Sequence, residues 1–91
     1  MKVVKLIIQG KVQGVGYRRW FEKEAIRFNL KGYVKNLATG EVEAVIAGEE
    51  QAISSMIEHC YTGPLHAQVK HIAHIQVDIE SNFDGFKMLR D

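Results

Sequence analysis

Apolar and polar positions alternate from the second residue onward. Val4, Leu6 and Ile8 fall on one side of an extended chain, with Val3, Lys5, Ile7 and Gln9 on the other. A period of two in a stretch rich in β-branched side chains predicts a strand over residues 2–9. Gly10, Gly14 and Gly16 then interrupt the pattern. After them Tyr17, Phe21, Ala25 and Phe28 recur at helical spacing beside Glu22, Lys23, Glu24 and Arg27, which predicts an amphipathic helix. Gly32 stands shortly beyond its expected end. The runs KGYVKNL and EVEAVIAG, separated by Ala38-Thr39-Gly40, predict a hairpin of two strands.

From Glu49 the period returns to that of a helix. Ile53, Met56, Ile57 and Cys60 form one stripe, Glu49 and Glu50 suit the positive end of the helix dipole, and Gly63-Pro64 breaks the pattern. Residues 68–79 alternate again and predict a fourth strand, with Val69, His71, Ala73, Ile75, Val77 and Ile79 on one face and Lys70, His74, Gln76, Asp78 and Glu80 on the other. The polar turn SNFDG leads to Phe86-Lys87-Met88-Leu89, read as a short fifth strand. The order β-α-β-β-α-β with a C-terminal strand pairs two helices with one sheet. An α+β, ferredoxin-like two-layer sandwich with a mainly antiparallel sheet is the simplest packing, its second face at least partly wet.

Ninety-one residues are too few for two independent cores, so residues 1–91 are expected to be a single domain. A core of that size leaves room only for a shallow ligand site. Twelve Lys and Arg against eleven Asp and Glu give a net charge of +1, without the basic excess of a nucleic-acid binder. The single cysteine, Cys60, cannot form an internal disulfide, which points to the cytoplasm rather than an oxidising compartment. Its N-terminus, MKVVKLIIQ, has a short apolar run broken by Lys5 and no cleavage site of small residues, so neither export nor a membrane role is expected. The absence of a long apolar surface run makes a monomer the expected state.

The segment GKVQGVGYRR, between the first strand and first helix, holds the strongest chemical signal. Glycines at a helix entrance let successive N–H groups turn toward a ligand, and the helix N-terminus adds partial positive charge. Arg18 follows in the first turn, able to clamp two oxygens of a phosphate or carboxylate. The segment is neither the G-x-G-x-x-G dinucleotide fingerprint nor the G-x-x-x-x-G-K-[ST] phosphate loop. A small oxyanion is the expected ligand.

The wider pattern, G-K-V-Q-G-V-G-Y-R followed by G-Y-V-K-N-L-A-T-G-E-V-E-A-V-I-A-G, closely resembles the acylphosphatase family. Gly63-Pro64, Ala67 and Val69 in the alternating strand, and the closing Phe86 extend the resemblance over nearly the whole chain. It implies hydrolysis of the mixed anhydride between a carboxylic acid and phosphate, with a small-molecule acyl phosphate as substrate and no metal or other cofactor. It also implies that Gln13, Gly14, Val15, Gly16, Tyr17 and Arg18 supply backbone donors around the phosphoryl group. Arg18 would bind that group by charge, and Asn36 would hold the attacking water through its side-chain amide. A non-catalytic domain that keeps the anion pocket is the rival reading.

Other candidates have plainer explanations. His71 and His74 fall on opposite faces of a strand, and His59 and Cys60 are neighbours on a helix, so no metal-ligand spacing appears. His71 is expected at a core or edge position of the apolar face, and Cys60 as a small buried hydrophobe. An RNA-binding sheet would display aromatics on its first and third strands, which here are aliphatic. Lys11 and Arg19 are expected as solvated charges that raise the potential for an anionic substrate.

Overall fold

In the computed structural model, which describes residues 1–77 and 83–90, the alternation of the N-terminal segment becomes β1 (Lys2–Lys11). It is followed by α1 (Tyr17–Arg27), β2 (Lys31–Asn36), β3 (Val42–Gly48), α2 (Glu50–Thr62), β4 (Gln68–Gln76) and β5 (Phe86–Met88). The strands lie in the order β4-β1-β3-β2-β5. Among the described residues three pairings are antiparallel, and only β2 with β5 is parallel. This is the expected two-layer arrangement. Both helices turn their predicted stripes to one face of the sheet, where Phe21, Ala25, Ile53, Met56 and Cys60 meet Leu6, Ile8, Val34, Ala44 and Ile46 in a single core.

α1 ends shortly before Gly32, as expected, and local chemistry ends it. Asn29 adopts φ 60, Leu30 N–H reaches back to the Ala25 carbonyl at 2.9 Å, and Asn29 N–H bonds Ile26 at 3.0 Å. Asparagine tolerates this left-handed cap, so the chain has turned before β2 begins. Gly32 itself lies within β2.

The fourth strand departs from its expected alternation. Gln9 pairs with His71 and Gly10 with Val69, so Lys70 is an extra residue, a β-bulge, opposite a single step of β1. Beyond the bulge the faces exchange. Val69 and Ile72 pack toward the helices, Ile72 fully buried, whereas Ala73 and Ile75 share the outer face of Ile7 and Lys5. His71 is exposed rather than set in an apolar face, and Ile72, outside the alternating apolar set, carries the burial. Positions 78–80 of that expected strand lie outside the described residues.

The outer face of the sheet is drier than an exposed antiparallel face. All seven residues of β3 are buried, and Val3, Val45 and Ala47 form a second apolar cluster with Tyr33, Val77 and Phe83. Glu43 sits beside it. Its carboxylate accepts the Tyr33 hydroxyl at 2.8 Å and pairs with Lys5 at 3.4 Å and Lys35 at 3.7 Å. Burial alone would raise the Glu43 carboxyl, but the Tyr33 hydrogen bond and the two ammonium groups outweigh it and hold it below its ordinary value.

Candidate active site

Between β1 and α1 the backbone makes two excursions that only glycine makes cheaply. Gly14 stands at φ 76 and Gly16 at φ 79, the latter as the N-cap of α1, its carbonyl accepting Trp20 N–H at 3.0 Å. Among the described residues no side chain caps α1, and no acidic residue lies in its first turn. The orphan amides and the positive end of the helix dipole therefore face the space in front of the loop.

The last residue of β2 meets that loop from below. Val34 points into the core from β2, and by the period of two Asn36 points the same way, paired in register with Val42. Asn36 is partly buried, and its Oδ1 is fully buried with no hydrogen-bond partner among the described residues. Buried polar atoms are rarely left without a partner.

A cleft of about 230 Å³ joins these groups. Of the residues singled out in the sequence it brings together Gln13, Gly14, Gly16, Tyr17, Arg18 and Asn36. Val15 is not part of the lining, and its side chain packs against the core. The Tyr17 side chain is tied into the core. Its ring is buried and its hydroxyl donates to the Cys60 carbonyl at 2.8 Å, while burial, reinforced by Cys60, pushes the phenol well above its ordinary value. Arg18 Nη1 donates to the Leu89 carbonyl at 2.7 Å, which holds the guanidinium at the cleft edge. The Gln13 side chain reaches across to the β2–β3 turn, its Nε2 donating to the Leu37 carbonyl at 2.8 Å and the Glu41 carbonyl at 2.9 Å.

Val12, Arg19 and Met88 complete the lining. Arg19 was expected as a field charge, but Met88 was not connected to the site by sequence. Its only signal was a short apolar run near the C-terminus. Parallel pairing of Val34 with Met88, and the Met88 N–H bond to Glu22 Oε2 at 3.2 Å, set it beside Asn36.

The described lining carries two guanidinium groups and no carboxylate, imidazole or thiol, a donor set suited to an anion. Cys60 lies in the core, where burial pushes its thiol up to about 12. Among the described residues no three His, Cys, Asp or Glu side chains gather as cation ligands would. No helix among them is long and apolar enough to cross a membrane.

A family model described as acylphosphatase matches residues 4–88. The acylphosphatase of Azorhizobium caulinodans is 43% identical over 83 residues, 91% of this chain and 89% of that protein. That of Syntrophus aciditrophicus is 41% identical over 91 residues, covering 100% of this chain and 95% of the relative. The crystal structure of acylphosphatase from Bacillus subtilis superposes with a TM-score of 0.95 at 31% identity, over 98% of this chain and 99% of that one.

Proposed function

From the acylphosphatase family, to which this chain belongs, we infer an enzyme that cleaves the carboxyl–phosphate bond of acyl phosphates to a carboxylate and inorganic phosphate. In our reading Arg18 and the main chain of residues 13–18 hold the phosphoryl group, and Asn36 holds the water. The reaction needs no metal and no other cofactor, and the enzyme works as a cytoplasmic monomer. The observation that carries the assignment is the buried, unsatisfied Oδ1 of Asn36 beside an anion cradle.

The chemistry asks little more than those groups. The leaving carboxylate is a weak base, with a conjugate-acid pKa of roughly 4, so it departs without protonation by a general acid. Asn36 Oδ1 accepts one O–H of the water and turns an oxygen lone pair toward phosphorus. A new P–O bond forms as the P–O bond to the acyl group breaks, and the electron pair leaves on the carboxylate. The water's proton passes to a phosphoryl oxygen or to solvent, since an amide is no base at neutral pH. Charge on the equatorial oxygens is met by preorganised amides and by Arg18, which need no reorganisation during the reaction.

Hydrolysis of benzoyl phosphate with and without a chelator, by the wild type and Asn36→Ala, tests this directly. Chelator-resistant turnover is expected, reduced at least about 100-fold in the variant, the scale on which loss of one positioning or stabilising group acts. Competitive inhibition by inorganic phosphate should be retained. Wild-type turnover in Asn36→Ala would remove the water-holding role, and no turnover above the water rate in the wild type would leave an anion-binding domain. Since no described side chain of the cleft is an acid, imidazole or thiol, kcat should show no bell between pH 5 and 8.

A further inference from the structure

We propose that Gln13, through its side-chain amide, is a positioning residue that fixes the distance between the phosphate cradle and Asn36. The inference rests on the water-holding role of Asn36 and deepens it. The two halves of the site come from different parts of the fold: the cradle from the β1–α1 connection, Asn36 from the end of β2 where the chain enters the β2–β3 turn. Catalysis by position requires them to be held together to within a fraction of an ångström.

Gln13 spans that join. Its Nε2 carries two hydrogens, and both are used on main-chain oxygens across the turn, Leu37 at 2.8 Å and Glu41 at 2.9 Å. Leu37 directly follows Asn36. The turn is closed internally by Leu37 N–H to the Glu41 carbonyl at 2.8 Å and Gly40 N–H to the Leu37 carbonyl at 3.1 Å, so the amide grips a rigid unit rather than a loose loop. Glu41 adds a second fastening to β1, accepting Gln9 Nε2 at 2.8 Å on its side chain. That tie lies before the glycine segment and cannot set where the cradle sits. The cradle's own shape is set elsewhere, by Gly14, Gly16 and the Arg18 bond to Leu89. Removing the Gln13 amide should therefore leave phosphate binding in place and misalign the water.

The test is a double-mutant cycle between Gln13→Met and Asn36→Ala, read as kcat on benzoyl phosphate and as the inhibition constant of inorganic phosphate. Gln13→Met in the wild-type background is expected to lower kcat about tenfold or more while the phosphate constant changes less than about threefold, the signature of lost alignment rather than lost binding. In the Asn36→Ala background the same change should cost less than about twofold, because there is no longer a held water to misalign. Gln13→Glu, of the same shape but presenting acceptors to two carbonyls, should lose at least as much kcat as Gln13→Met. Protection of each variant from thermal unfolding by phosphate verifies an intact cradle. Equal losses in both backgrounds, a phosphate constant that rises in step with the loss of kcat, or wild-type kcat in either Gln13 variant would overturn the proposal. A fully active Asn36→Ala would instead overturn the mechanism on which it rests, so the two failures are distinct.

Discussion

Arg18 and Tyr17 are adjacent in the chain and do opposite things with their side chains. One side chain reaches the cleft and is steadied by the Leu89 carbonyl; the other fills the core and is steadied by the Cys60 carbonyl. Each arrangement has its own prediction. Arg18→Lys keeps the charge but loses the planar fork, and kcat/KM should fall about 10- to 100-fold, the worth of a charge-assisted hydrogen bond of roughly 1.5–3 kcal/mol. A value within twofold of wild type in steady-state assays would refute the anchor role. Tyr17→Phe leaves a buried carbonyl without its donor, and urea denaturation should show a loss of about 1–3 kcal/mol. Its kcat/KM should stay within about twofold, because the hydroxyl it loses is bonded to the Cys60 carbonyl in the core.

At the level of elements, helices and strands follow the apolar periods closely, and the exceptions have local causes. The stripes of α1 and α2 are buried where the 3.6-residue period places them. In β4 the period of two holds on each side of Lys70 but not across it, since a bulge adds one residue and exchanges the faces. The exchange is measurable. Ile72→Ala should cost about 2–4 kcal/mol by urea denaturation, as expected for a fully buried aliphatic, whereas Ile75→Ala, 58% exposed, should stay within about 0.5 kcal/mol. An unbroken alternation, with Ile75 in the apolar set and Ile72 outside it, requires the reverse ranking.

For the molecule as a whole, the outer sheet face links stability to pH through Glu43. Its carboxyl is held below the ordinary value of 4.5, so the folded state binds its proton more weakly than the unfolded chain does. The stabilisation is thus present above the unfolded pKa and lost as pH falls through the folded one. Equilibrium unfolding at a series of pH values should show stability declining below about pH 4.5, the reference set by that ordinary value, with a shallower decline in Glu43→Gln. Parallel acid profiles for the two proteins would show that the Lys5–Glu43–Lys35 cluster contributes no linkage. At the alkaline end the Tyr33 phenol, pushed up to about 12 by burial and by its bond to Glu43, should ionise only near that pH in an absorbance titration.

By itself the sequence determined the class of the fold, the order of its elements and the pair of segments that meet at the cleft. These are written in local patterns: periods of two and 3.6, glycines before a helix, an arginine in its first turn, and an asparagine at the end of a strand followed by a turn. Only the tertiary structure decided what crosses between segments. The bulge at Lys70, the parallel pairing that sets Met88 beside Asn36, the bonds of the Gln13 amide to the Leu37 and Glu41 carbonyls, and the grip of Leu89 on Arg18 all depend on register between distant stretches. Register is a property of pairs of segments, settled by which of many alternatives buries the most apolar surface and satisfies the most backbone groups, and no single window of sequence contains that comparison.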